Sequence, residues 1–203
     1  MLAAVILSGG ASSRMGSPKA LLPYQGRPFL EHLLEVTARR EINVRRVVLG
    51  AHAEPIAKAV NLKADEIVIN EDWEKGQLSS IQAAIRSLPA GTDGILLCLI
   101  DHPLITTLLI QDLIEQFYKS KKPIVLPVYE GRRGHPIIFS SSLYDELLRA
   151  PLETGARAVV WAHPGEIEEV TTNEEGCVLN LNDPETMNKA VQQKDQRFTD
   201  PKS

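Results

Sequence analysis

A chain of 203 residues, 43% hydrophobic and 24% charged, has enough apolar material for one ample core and nothing that forces a second domain. Its net charge of −4 argues against a nucleic-acid partner, which would need a basic face, and no run approaches a membrane span. Cys98 and Cys177 stand far apart without metal-type spacing, against a disulfide framework or a zinc site. The apolar start, residues 1–7, lacks a basic n-region and is too short for a signal h-region, so the expected location is cytoplasmic.

Residues 3–7 form an apolar, β-branched run of strand length, suited to a strand buried on both faces of a parallel sheet. The run breaks into Gly9-Gly10-Ala11-Ser12-Ser13-Arg14-Met15-Gly16-Ser17-Pro18-Lys19. Gly9 and Gly10 let backbone N–H groups approach a ligand, Ser12 and Ser13 add hydroxyls, and Arg14 and Lys19 add cations. Gly-Gly-x-Ser alone is also an ordinary turn; Arg14, Pro18 and Lys19 shift the reading towards a polyphosphate cradle. It is not a Walker loop, because Gly10 and Gly16 are one residue too far apart and Ser17 stands where Lys is required, and Gly-x-Gly-x-x-Gly is absent.

The chain then alternates. A helix is expected over 28–39, a strand over 46–49 ending at Gly50, a short helix over 55–60 and a strand over 66–69 ending at Asn70. Gly76-Gln77-Leu78-Ser79-Ser80 opens a helix reaching Leu88, and 94–100 is the most apolar strand, ending in Asp101-His102-Pro103. Thr106 or Thr107 caps a helix to Tyr118, which Lys121, Lys122 and Pro123 stop. A strand over 123–128 meets Glu130-Gly131-Arg132-Arg133-Gly134-His135, either a hairpin turn or a loop reaching over the site, before 136–139. Helices over 141–149 and 154–162, strands over 167–170 and 177–181, and a last helix from Asp183-Pro184 complete the domain, residues 1–191. Residues 192–203 form a polar tail, expected to be disordered. This alternation implies a doubly wound, mostly parallel α/β sheet with right-handed crossovers and a late antiparallel insertion.

From Leu7 to Leu22 the chain resembles the signature of the MobA-like nucleotidyltransferases, L-x-G/A-G-x-S-x-R-M-G-x-P-K-x-L, with Leu7, Gly9, Gly10, Ser12, Arg14, Met15, Gly16, Pro18, Lys19 and Leu21 in register. The resemblance implies the Rossmann-like fold of the nucleotide-diphospho-sugar transferases and a Mg²⁺-dependent enzyme. Gly131-Arg132-Arg133-Gly134-His135-Pro136 is similar to the G-x-x-G-H-P segment of the molybdenum cofactor cytidylyltransferase branch, and Gly155-Ala156-Arg157 to its G-A-R element. The acceptor implied is molybdopterin or its molybdenum complex, with a molybdoenzyme as a transient partner. Asn180 to Glu185 resembles the late N-x-N/D-T-P-E segment, with Asp183 replacing Thr, so that Asp183 reads equally as a helix cap.

The site expected from these readings contains Leu7, Ser8, Gly9, Gly10, Ser12, Arg14 and Lys19 with Gly76, Gln77, Ser79 and Ser80 on the nucleotide. Asp101 takes Mg²⁺, as an Asp at this place does in the family, although alone it also reads as a turn cap before Pro103. Arg133, His135 and Asn182 face the acceptor, against a solvated basic turn as the plain alternative. His52, His102 and His163 are read as structural, Cys98 and Trp161 as core, and Trp73 as packing or as a cover for a base. The base signals are mixed: Leu7-Ser8-Gly9-Gly10 looks like the L-A-G-G of guanylyltransferases, Gly76 to Ser80 like the G-x-L-T/S-S of the cytidylyl branch, and CTP is favoured. The competing readings are a cytidylyl- or uridylyltransferase for a sugar or polyol phosphate, and a non-catalytic nucleotide-binding maturation factor.

Overall fold

The computed structural model describes residues 1–11 and 17–181. The expectations that rest on Ser12, Arg14 and Asn182, the helix from Asp183 and the tail over 192–203 lie outside the described residues.

Strand β1 (Leu2–Ser8) is buried along its whole length. After a 3₁₀ turn at Lys19–Leu21, two short strands, β2 (Pro23–Tyr24) and β3 (Arg27–Pro28), form an antiparallel pair that the sequence reading missed, too short to show a period. Helix α1 (Phe29–Val36) follows, then β4 (Ile42–Leu49), α2 (Ala53–Ala59), β5 (Ile67–Ile69), α3 (Gln77–Arg86), β6 (Gly94–Leu99) and α4 (Thr107–Ser120). Thr106 caps α4 by accepting from Leu109 N, and Lys121 ends it in the left-handed conformation.

Strand β7 (Ile124–Tyr129) turns at Glu130-Gly131, both with positive φ, into β8 (Arg132–Arg133), which pairs back onto it. The chain is interrupted at Gly134 to Pro136, where the His135–Pro136 bond is cis, and resumes as β9 (Ile137–Ser140), inserted antiparallel between β7 and β6. The segment is therefore a hairpin. Helix α5 (Tyr144–Arg149), helix α6 (Arg157–Ala162) and β10 (Ile167–Thr171) complete the described elements.

The sheet order is β10-β7-β9-β6-β1-β4-β5, with β8 beside β7. Every pairing not involving β8 or β9 in this sheet is parallel, as expected for a doubly wound sheet with a late antiparallel insertion. Alternating residues of β1 feed two cores. Leu2 and Ile6 pack with α1, α2 and α4 through Leu33, Ile56 and Leu113, whereas Ala3, Val5 and Leu7 pack with α3, α5 and α6 through Ile81, Leu147 and Val159. Burial on both faces explains why the strands read as continuous apolar runs.

Two expectations are corrected. Residues 177–181 are not a strand: a 3₁₀ turn spans Glu175–Cys177 and the chain then runs irregularly. Its backbone is used elsewhere, with Cys177 O accepting from His135 N at 2.8 Å and Leu181 N donating to Asp101 O at 2.8 Å. Trp161 is not core but 64% exposed, because α6 is short and directs Val159 inward instead.

Candidate active site

Strands β1, β4 and β5 are laid down outward to one edge, and α3 then returns the chain to the opposite side of β1, where β6 pairs. Where the winding reverses, the connections leave the sheet in opposite directions and open a crevice beyond the strand ends. The chain has Ser8-Gly9-Gly10 at the end of β1 and Asp101 just past the end of β6, so both fall at this crevice. A cavity of about 280 Å³ lies there, lined among others by Gly9, Gly10, Lys19, Trp73, Gln77 and Asp101. Leu7, Ser8, Gly76 and Ser80 also border it.

Lys19 starts the 3₁₀ turn and reaches across the crevice, placing its Nζ 3.9 Å from Asp101 Oδ2, with both side chains largely shielded, at 17% and 20% exposure. An ammonium and a carboxylate are thus held close together at the end of a rigid strand, beside a Gly-Gly turn, a combination whose chemistry suits phosphate oxygens and a hard cation. Asp101 suits a divalent ion by its oxygen chemistry. Among the described residues no group of three or more His, Cys, Asp or Glu stands ready for a metal; Asp101 offers a carboxylate of the kind that holds Mg²⁺ together with phosphate oxygens and water.

The loop opposite is built by a residue that the sequence reading passed over. Asn70, 5% exposed at the end of β5, donates through Nδ2 to Ser79 Oγ and Ser80 Oγ, both at 2.9 Å, and accepts from Asp72 N at 3.1 Å. Ser79 Oγ in turn lies 2.9 Å from Asp72 O and 2.7 Å from Gly76 O. Ser79 is thus turned beneath the loop and its hydroxyl supports it, whereas Ser80 lies at the cavity wall. An Asn directly after a β-branched run and ahead of two Ser was the available signal. Gly76, at φ +96, swings the chain so that α3 starts at the cavity.

Gly50 was expected only as a strand end. Its Cα packs so tightly that a Cβ would lie 2.4 Å from Gly9 O and 2.7 Å from Trp73 Cβ. Trp73 accordingly both packs under the Gly9 turn and borders the cavity.

A second cavity, about 490 Å³, adjoins the first through Gly76 and Gln77 and is bordered by Arg133, His135, Phe139, Arg157 and Val160. The two acceptor residues expected here are placed differently from each other. Arg133 is tied to β10, with Nε and Nη2 each 2.7 Å from Glu169 Oε1. His135 is folded inward, its ring 5.1 Å from that of His102. Its Nδ1, like that of His102, is buried without a hydrogen-bond partner among the described residues. Burial, and secondarily His102, pushes the His135 pKa down to about 3. Burial also lowers His102 against the pull of the Asp101 carboxylate, whose Oδ1 is 3.9 Å from His102 Nε2. His135 therefore stands as a neutral ring against His102, beside Asp101, while also bordering the second cavity. Cys98 and Cys177 are both free and buried, and burial raises the Cys98 thiol to about 12. His52 Nε2 donates to Ala11 O, and His163 is bracketed by Glu146 and Glu166 on the surface. Among the described residues no helix is long and apolar enough to cross a membrane.

The chain was compared with known proteins for family and fold. The chain is 28% identical over 192 residues to the nicotine blue oxidoreductase of Paenarthrobacter nicotinovorans, covering 90% of this chain and 93% of that one. It is 31% identical over 160 residues to a probable molybdenum cofactor guanylyltransferase of Bacillus anthracis, covering 77% and 76%. The crystal structure of Rv0371c from Mycobacterium tuberculosis superposes with a TM-score of 0.79 at 26% identity, over 95% of this chain and 99% of that one. A structure of Rv0371c in complex with manganese gives 0.72 at 25% identity, over 94% and 98%. Residues 4–167 match the MobA-like NTP transferase domain, and with most of its length so matched the chain belongs to that family of nucleotidyltransferases.

Proposed function

We propose that this protein transfers a nucleoside monophosphate from an NTP, CTP by preference, to the phosphate of molybdopterin or its molybdenum complex, releasing pyrophosphate. The observation that carries this reading is the Lys19–Asp101 pair set beside Gly9-Gly10 at the switch point, with a second cavity opening next to it. A phosphate oxygen of the acceptor attacks the α-phosphorus, the bond from that phosphorus to the β-bridging oxygen breaks, and pyrophosphate departs with the electron pair. Transfers of this kind need positioning and charge neutralisation rather than a covalent protein group.

In this reading the Gly9 and Gly10 amides and the start of α3 hold phosphate oxygens, and Lys19 offsets the charge of the leaving group. Asp101 would hold Mg²⁺, which when bound supplies charge neutralisation at the phosphates; the manganese in the Rv0371c complex supports a divalent ion in this fold. Gln77 borders both cavities, where its amide reaches a base edge, and a base that leaves such a group unpaired loses roughly 1–3 kcal/mol. The Gly76 to Ser80 segment supports CTP, whereas the guanylyltransferase name of the Bacillus relative points to GTP.

A second reading follows from the relative named nicotine blue oxidoreductase, which is similar over nine-tenths of this chain: the same crevice holding a nucleotide cofactor for reduction of a planar substrate. One experiment separates them. The protein is incubated with each NTP, Mg²⁺ and molybdopterin, with mass analysis of the product, and in parallel with NADH or NADPH and a dye acceptor. A molybdopterin dinucleotide is expected; dye reduction without any pyrophosphate release would overturn the transferase reading.

A further inference from the structure

Helix α6 leaves Trp161 64% exposed, an unusual place for the largest apolar side chain, and the Arg157 guanidinium lies over the indole, its Cζ 5.3 Å from the ring centroid. The two residues are one helical turn apart, so the stacking is built into the helix. Arg157 is also held from the other side, its Nε donating to Thr154 O at 2.8 Å. Backbone and indole hold the guanidinium from two sides, and among the described residues its terminal nitrogens make no hydrogen bond or ion pair.

The other basic residues on the cavity walls are engaged: Arg133 is forked onto Glu169 and Lys19 faces Asp101. Among the described residues that line the two cavities, Arg157 is the cation without a carboxylate partner. Glu153 borders the same cavity at the spacing at which helical pairs form, yet Gly155, at φ +74, breaks the chain between them and no ion pair results. A pre-oriented, uncompensated guanidinium on a cavity of about 490 Å³ is a receptor for a planar or forked oxyanion.

We propose that Arg157 binds an oxyanion of the acceptor's phosphate monoester in the second cavity, and that Trp161 is a positioning residue that holds the guanidinium in place. This deepens the transferase reading and rests on it. It assigns to Arg157 the task that Arg133, bound to Glu169, does not have free geometry to perform. The same arrangement gives the exposed indole a purpose.

The test is steady-state kinetics of the full chain with molybdopterin and CTP. Arg157→Gln is expected to raise the KM for molybdopterin at least tenfold while the KM for CTP stays within threefold, and Arg157→Lys to recover little, since an ammonium lacks the fork. Trp161→Ala should raise the acceptor KM about threefold to fivefold, Trp161→Phe should restore it, and in the Arg157→Gln background Trp161→Ala should add nothing. An acceptor KM within twofold of wild type in Arg157→Gln overturns the proposal, and a full Trp161→Ala effect in the absence of Arg157 overturns the positioning role. If no NTP yields product with molybdopterin, the transferase reading has failed, and inorganic phosphate becomes the probe. In a Trp73→Phe background Trp161 is the remaining indole of the two in the chain. Its emission should then change saturably with phosphate and cease to respond in Arg157→Gln; no saturable response overturns the proposal.

Discussion

Replacing Gly50 by alanine sets a methyl carbon 2.4 Å from Gly9 O and 2.7 Å from both Cβ and Cγ of Trp73, where ordinary contact begins at 3.4 Å. The overlap with the Gly9 carbonyl is thus about 1 Å, and the atoms to be moved are backbone and the root of a side chain, not a flexible tip. Overpacking of this kind costs roughly 1–3 kcal/mol. The Ala51 N to Gly9 O hydrogen bond, 3.2 Å long, lies at the same place, and its loss adds about 1 kcal/mol. Gly50→Ala is therefore expected to lose roughly 2–4 kcal/mol in urea unfolding, or to relieve the clash by displacing the Gly9 turn. In the latter case a shift of about 1 Å in the Gly9-Gly10 turn is expected to reduce pyrophosphate release on the order of 10²-fold under the proposed function. Gly10→Ala is the control, since no described atom lies within 4 Å of its added carbon. Gly50→Ala with both the unfolding midpoint and kcat/KM of the wild type would refute the tight coupling of Gly9, Gly50 and Trp73.

Asp101→Asn keeps its backbone carbonyl on Leu181 N and should unfold close to wild type, while pyrophosphate release falls on the order of 10²-fold or more; near-normal release at saturating Mg²⁺ would remove Asp101 from the metal site. For base choice, kcat/KM is measured for CTP, GTP and ATP with one acceptor: CTP is expected to lead and Gly10→Ala to retain CTP use, whereas GTP preferred about tenfold, some 1.4 kcal/mol, would assign the base to the Gly9-Gly10 turn. The pH dependence of stability follows from His135, held neutral to about pH 3 by burial against an unfolded value near 6.5. Below that unfolded value the unfolded chain binds the extra proton, so this stabilisation is present above about pH 6.5 and lost on acidification towards 3, with a slope of at most about 1.4 kcal/mol per pH unit. His135→Phe should flatten this acid limb in urea titrations at pH 4 to 7, and an unchanged slope would show that the imidazole protonates freely in the fold.

The alternation of strand and helix, the Gly9-Gly10 turn, Lys19 and Asp101 were legible in the residues because each depends on local chemistry. Apolar runs read as doubly buried strands, and the ends of such runs in a parallel sheet open at a crevice. Local spacing could not reveal what distant segments do to one another. Gly50 looked like a strand end until Gly9 and Trp73 closed on it, and Ser79 looked like a ligand group until Asn70 and two carbonyls claimed its hydroxyl. His135 and Arg133 read as acceptor-facing groups of a turn, and a hairpin register set Arg133 against Glu169 and folded His135 onto His102. Trp161 read as core because an apolar neighbourhood in sequence does not say which side of a six-residue helix meets the sheet. The sequence alone determined which side chains can carry phosphate chemistry and on which strand ends they stand. Only the tertiary structure decided which of them have their charge and hydrogen bonds left for a ligand, since that depends on partners far away in the chain.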